Sequence, residues 1–192
     1  MARDVIAIGA SWGGLSAVGQ VLAGLPPDLQ AAVVVAQHRS RDSGAGGLTV
    51  ALGRRTPLPV CEPDDKDAVE AGNVYVAPPD YHLLVEGGHF ELSVDSPVTY
   101  SRPSSDVLLE SVADSYGERA IGVVLTGSSS DGAAGLLRMR EAGGLTVAQD
   151  PDEAERREMP QAAIDAGAAQ HVCTLAEIPE LLIRACSAAR VA

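Results

Sequence analysis

The run Val5-Ile6-Ala7-Ile8 passes without interruption into Gly9-Ala10-Ser11-Trp12-Gly13-Gly14, and this junction constrains the fold more than any other stretch. Four consecutive apolar residues without alternation suit a strand buried on both faces. Such a strand needs a layer of helices on each side. The glycine-rich turn after it spells G-x-S-x-G, the pattern of a nucleophile elbow that presents one serine at a strand end. A serine hydroxyl is a poor nucleophile unless a base and an oriented acid stand beside it. The junction therefore predicts a histidine and a carboxylate at the ends of neighbouring strands.

The rest of the chain repeats the theme. Apolar runs at Val5–Ile8, Ala32–Ala36, Val74–Ala77, Ile121–Leu125 and Leu145–Ala148 read as strands. Helical patterns fall at Gly14–Ala23, Gly44–Arg54, Ser104–Tyr116, Asp131–Glu141 and Leu175–Ala188. The alternation predicts an α/β fold: three layers, doubly wound, with a mostly parallel sheet. His82–Glu86 and His89–Val94, joined by Gly87-Gly88, read as an antiparallel β-hairpin, a flap or an edge. The charged stretch Asp150–Glu158 reads as a surface loop or helix. At 192 residues, one domain spanning 1–192 is expected.

Lys and Arg number 14 against 26 Asp and Glu, a net charge of −12. Phosphate backbones and anionic bilayers would repel such a chain, which argues against a nucleic-acid partner or membrane insertion. No apolar stretch is long enough to span a bilayer, and no signal peptide precedes the first strand. Cys61, Cys173 and Cys186 are odd in number and widely spaced, as free thiols in a cytoplasmic protein would be. No histidine–cysteine cluster suggests a metal, and no cofactor is expected.

In an open parallel sheet, ligands bind beyond the carboxyl ends of the strands. Ser11 follows the first strand, Gln37-His38 the second, and Thr126-Gly127-Ser128-Ser129-Ser130-Asp131 the run ending at Leu125. Three strand ends thus offer a nucleophile, a base and an orienter. Each has a plainer alternative. Ser11 could cap a helix or sit in a degenerate dinucleotide turn, although that fingerprint wants glycine at its place and an acid after the second strand. His38 could be structural. Asp131 is well placed to cap the helix that follows it. The order Ser, His, Asp differs from the Ser, Asp, His of α/β-hydrolases, so likeness to that fold stops at the elbow.

Over nearly its whole length, from Val5 to about Ile178, the chain resembles the catalytic domain of the CheB chemotaxis-receptor methylesterases. The resemblance is carried by Ala7-Ile8-Gly9-Ala10-Ser11, Val35-Ala36-Gln37-His38 and Val74-Tyr75-Val76-Ala77-Pro78. It continues through Arg102-Pro103-Ser104 with Asp106-Val107-Leu108, Leu125-Thr126-Gly127, Ser130-Asp131-Gly132-Ala133-Ala134-Gly135, Ala148-Gln149-Asp150 and Met159-Pro160. It implies removal of methyl esters from glutamates of methyl-accepting chemotaxis receptors, often with deamidation of glutamines. It assigns Ser11 as nucleophile, His38 as base and Asp131 as orienter, with no cofactor.

The chain departs from the family's pattern in places. Trp12 replaces the usual threonine; its backbone N–H is a candidate oxyanion donor, and its indole could roof the pocket. Ser128-Ser129-Ser130 makes the loop before Asp131 more polar, with Ser128 the candidate second donor. Arg39 replaces a usual methionine. Arg102 is a candidate partner for a carboxylate, on the substrate or in a loop, and Met159 completes the pocket set. Asp80 and His82 could line the site but suit a structural turn. Family members typically carry an N-terminal receiver domain; the sequence opens directly on the first strand, so that brake is expected to be missing. These departures leave a different acyl substrate, or a weakened scaffold of the same fold, as competing expectations.

Overall fold

A computed structural model describes residues 3–40 and 46–187. Its main sheet has seven parallel strands in the order β3-β4-β2-β1-β7-β8-β9. These are β1 Val5–Ala10, β2 Ala32–Gln37, β3 Val60–Cys61, β4 Val74–Val76, β7 Ala120–Val124, β8 Leu145–Gln149 and β9 His171–Cys173. The helices are α1 Gly14–Ala23, α2 Gly47–Gly53, α3 Ser105–Tyr116, α4 Ala133–Glu141, α5 Glu158–Asp165 and α6 Ile178–Ser187.

The pleat sorts the strand residues into two cores. Ile6, Ile8, Val33, Val35, Ile121 and Val123 face α1, α2 and α6. Val5, Ala7, Val34, Ala36 and Val124 face α3, α4 and α5. Alternate residues point to opposite faces of a strand, so apolar runs without alternation serve both layers at once. Both central strands are buried throughout.

The expected strands all form, within two residues at their ends. Two edge strands, β3 and β9, and helix α5 were not expected. The helix predicted over Gly44–Arg54 is α2; Gly44 and Ala45 lie outside the described residues, as does Ala188 of the last predicted helix. The hairpin forms as β5 His82–Glu86 and β6 His89–Ser93, with Gly87 and Gly88 at positive φ. It is a separate two-stranded sheet, not an edge of the main one. It lies against α3, where Ser111 and Ser115 hydroxyls bond both backbone groups of Val85. Phe90 then packs against Tyr75 with ring centroids 4.5 Å apart and the rings tilted by 53°.

The chain winds from β1 outward to β2 and β4, then returns to place β7 on the other side of β1. The carboxyl ends of β1 and β7 flank the point where the winding direction reverses, the crevice in which such sheets bind ligands.

Candidate active site

Ser11 leaves β1 in a turn tied down on three sides. Its N–H donates to the Thr126 carbonyl at 2.9 Å, and its carbonyl accepts from Gly14 N–H and Gln37 Nε2, both at 2.8 Å. The turn closes through Gly13 at φ 78°, the left-handed region where a side chain is strained. Gly127 touches Ser11 from the β7 side; a Cβ there would lie 2.8 Å from Ser11 Cβ and would collide with the Met159 thioether. Met159 is wholly buried beneath this contact, and its N–H donates to the Gly127 carbonyl at 2.9 Å. The Trp12 N–H has no acceptor among the described residues. The Gly127 N–H is taken by the Arg156 carbonyl at 3.0 Å, and Ser128 lies exposed.

His38 follows β2 and stays partly open to solvent. Its Nε2 lies 2.6 Å from Asp131 Oδ2. Its Nδ1 lies 3.2 Å from the Ser101 hydroxyl. Ser11 and His38 share no hydrogen bond; among the described residues the Ser11 hydroxyl has no partner. Catalytic hydrogen bonds commonly tighten only when substrate is bound.

Asp131 is fully buried and accepts four bonds. Oδ2 takes His38 Nε2 and Ser105 N–H, both at 2.6 Å; Oδ1 takes the Ser104 hydroxyl at 2.7 Å and Asp106 N–H at 3.1 Å. Burial alone would raise this carboxyl's pKa. The bonds from His38, Ser104 and Ser105 outweigh it and hold the group below the ordinary carboxylate range. An ionised Asp131 only accepts, so a neutral His38 carries its proton on Nε2 and keeps a lone pair on Nδ1.

The capping expectation for Asp131 needs correcting. The N-cap of α4 is Gly132, and Asp131 turns away from that helix to meet the first N–H groups of α3. In return, Asp106 of α3 accepts from Gly132 and Gly135 N–H at 2.9 and 2.8 Å, at the start of α4. Each helix end receives a carboxylate from the other segment, with the positive end of each dipole facing it. Asp106 is pushed up to about 6, first by burial and then by the neighbouring Asp131 charge, against the pull of the Gly135 and Gly132 N–H groups.

The remaining candidates disperse. The Trp12 indole does not roof the cavity beside His38. It is 60% exposed, donates Nε1–H to Glu155 at 2.7 Å and carries the Arg156 guanidinium 5.5 Å from its ring. Arg102 does line that cavity of about 200 Å³, but its guanidinium is held by Asp80 Oδ1 at 2.7 Å and by the Val94 and Asp95 carbonyls. Arg39 also borders it; the side chain is 8% exposed and pairs with Glu62 at 2.6 Å. His82 is buried, accepts from Ser104 N–H and faces the Ser96 carbonyl, each at 3.2 Å. It thus backs the serine that backs Asp131.

Sequence reasoning passed over Ser101 and the supporting roles of Ser104 and Asp106. A serine three residues before Val107 was a legible N-cap signal for Ser104. Nothing in the pattern marked Ser101.

A doubly wound sheet with a serine elbow and a buried carboxylate–histidine pair at its switch point describes an α/β domain with the layout of a serine hydrolase. The family model described as CheB methylesterase matches residues 6–182. The crystal structure of the Thermotoga maritima CheB methylesterase catalytic domain superposes with a TM-score of 0.88 at 31% identity, covering 96% of this chain and 99% of that one. A Leptospira interrogans protein is 41% identical over 185 residues, 96% of this chain and 95% of its own length. The protein-glutamate methylesterase/protein-glutamine glutaminase of Chromohalobacter salexigens is 42% identical over 190 residues, and the match spans 52% of that protein. The chain belongs to the CheB methylesterase family.

Proposed function

We propose that the chain hydrolyses methyl esters of glutamate side chains on chemotaxis receptors, with Ser11 as nucleophile, His38 as base and Asp131 as orienter. The observation that carries this reading is the 2.6 Å bond from His38 Nε2 to a fully buried, multiply hydrogen-bonded Asp131, one strand away from the serine elbow. With Nε2 committed to Asp131, Nδ1 is the nitrogen that accepts the Ser11 proton. Ser11 Oγ attacks the ester carbonyl, and the Trp12 N–H supports the oxyanion that develops. The proton then passes from Nδ1 to the leaving methoxide, releasing methanol and an acyl-serine. Water gives its proton to Nδ1, attacks the acyl group and restores Ser11, leaving a free glutamate. With a glutamine substrate, the same steps release ammonia.

No helix among the described residues is long and apolar enough to cross a membrane. The test is methanol release from methylated receptor. Wild type should exceed Ser11→Ala by at least about a thousandfold, since a triad acts as a unit; equal rates overturn the reading. A second reading, hydrolysis of another acyl substrate, is favoured by the exposed Trp12 next to the nucleophile. Fluorophosphonate labelling of Ser11 without methanol release from receptors would select it.

A further inference from the structure

The nitrogen that the proposed chemistry needs is already engaged. His38 Nδ1 lies 3.2 Å from the hydroxyl of Ser101, while Ser11 makes no bond to the ring. With the Nε2 proton given to Asp131, the only hydrogen available between Nδ1 and Ser101 is that of the serine hydroxyl. Ser101 therefore donates, and the lone pair that would take the Ser11 proton is covered.

Ser101 sits on a strap. At its root, Arg102 Nη1 holds the Val94 and Asp95 carbonyls at 2.6 and 2.9 Å, and His82 faces the Ser96 carbonyl. Beyond that root, Val98 and Ser101 exchange both backbone hydrogen bonds, at 3.1 and 2.9 Å, across Thr99 and Tyr100. Those two residues have φ of 49° and 63°. A two-residue turn of this kind favours glycine or asparagine, so a β-branched and an aromatic residue hold it under strain. The Tyr100 side chain is fully exposed. The strap thus pairs a strained, solvent-facing tip with an anchored root.

We propose that Ser101 is a positioning residue: in the free protein it occupies the base nitrogen of His38, and it must release that nitrogen before Ser11 can be activated. The proposal rests on the Ser11–His38 reading above. It gives the strap a defined effect on that site, because displacing Ser101 frees the base.

The test is the rate at which a fluorophosphonate probe labels Ser11 in the whole protein, with Tm as a check on folding. Ser101→Ala should label about fivefold faster than wild type, the gain expected from removing one competing neutral hydrogen bond. Ser101→Thr, which keeps the hydroxyl, should label at the wild-type rate. A merely structural serine would give equal or slower labelling when truncated, and that result at unchanged Tm overturns the proposal. Labelling of Ser101 itself in a Ser11→Ala background would also overturn it, since Ser101 would then be a nucleophile. If Ser11 is labelled in no variant, the nucleophile assignment falls, and this inference falls with it.

Discussion

The two nitrogens of His38 meet surroundings of opposite character. On the Nε2 side, a wholly buried carboxylate is fixed by two backbone N–H groups and a serine hydroxyl, and the helices it joins are tied in both directions. On the Nδ1 side, the one hydrogen bond among the described residues is a 3.2 Å contact from a turn whose tip stands in solvent. Orientation of the proposed base is built into the fold, whereas its second nitrogen faces a turn that the helices do not brace. Rigid support behind a base and adjustable contact in front of it suit a site that must be pre-formed yet responsive.

The contrast predicts that changes on the Asp131 side alter both rate and stability, while Ser101→Ala alters rate alone. The largest effect belongs to Asp131→Asn. It keeps the volume but replaces an acceptor with a donor facing donors, and kcat should fall by about 10³–10⁴. Denaturant unfolding should also show a loss on the order of 2 kcal/mol, because buried N–H groups lose their anion. A normal unfolding midpoint would break the comparison. Ser104→Ala comes next: it removes both the α3 N-cap and a donor to Asp131, and should cost about 1–2 kcal/mol. Its kcat should fall less than that of Asp131→Asn, as measured by methanol release.

The smallest effect is a pH dependence. Asp131 is depressed, so its stabilisation is present above the ordinary carboxylate value near 3.8 and is lost as pH falls through its lower folded value. Asp106 has the opposite sign. Its folded pKa of about 6 exceeds the ordinary carboxylate value near 3.8, so its ionisation destabilises the fold as pH rises from the lower value to the higher. Asp106→Asn keeps an acceptor for Gly132 and Gly135 and removes the charge. The stability of Asp106→Asn relative to wild type should therefore grow between pH 4 and 6 and level off above, by on the order of 1 kcal/mol. Paired denaturation curves at pH 4, 5, 6 and 7 measure it; a flat difference would show that burial and the Asp131 charge do not raise the Asp106 carboxyl.

Much of the frame was legible because its signals are local. Val5–Ile8 and Ala32–Ala36 declare buried strands by apolar continuity, and Gly87-Gly88 declares a hairpin by backbone freedom. The missed strands β3 and β9 are two and three residues long, partly exposed, and exist only because a neighbour extends the ladder to them. Helix α5 hides behind the charged run ending at Glu158 and carries Pro160 in its first turn, where the missing N–H breaks no helical bond. The strand ends pointed to Ser11, His38 and Asp131 as neighbours, and the bond between His38 and Asp131 follows from that placement. What the α3 start does for Asp131 was not legible, because the partners lie 25 to 27 residues apart and meet only after the helices pack. Likewise, Arg39 and Arg102 looked available as single letters, yet each meets an acid supplied by a distant loop, Glu62 or Asp80.

The exchange of carboxylates between α3 and α4 also governs how the chain can be dissected. Asp131 is at once a candidate for the chemistry and a fastener between two segments, so a variant there loses activity for two reasons that no activity assay alone can separate. Ser11, whose hydroxyl has no partner among the described residues, is the position at which chemistry can be removed with the architecture left standing. A receptor-trapping or interaction study therefore belongs on Ser11→Ala, with Asp131 variants reserved for asking how the interlocked helices hold together.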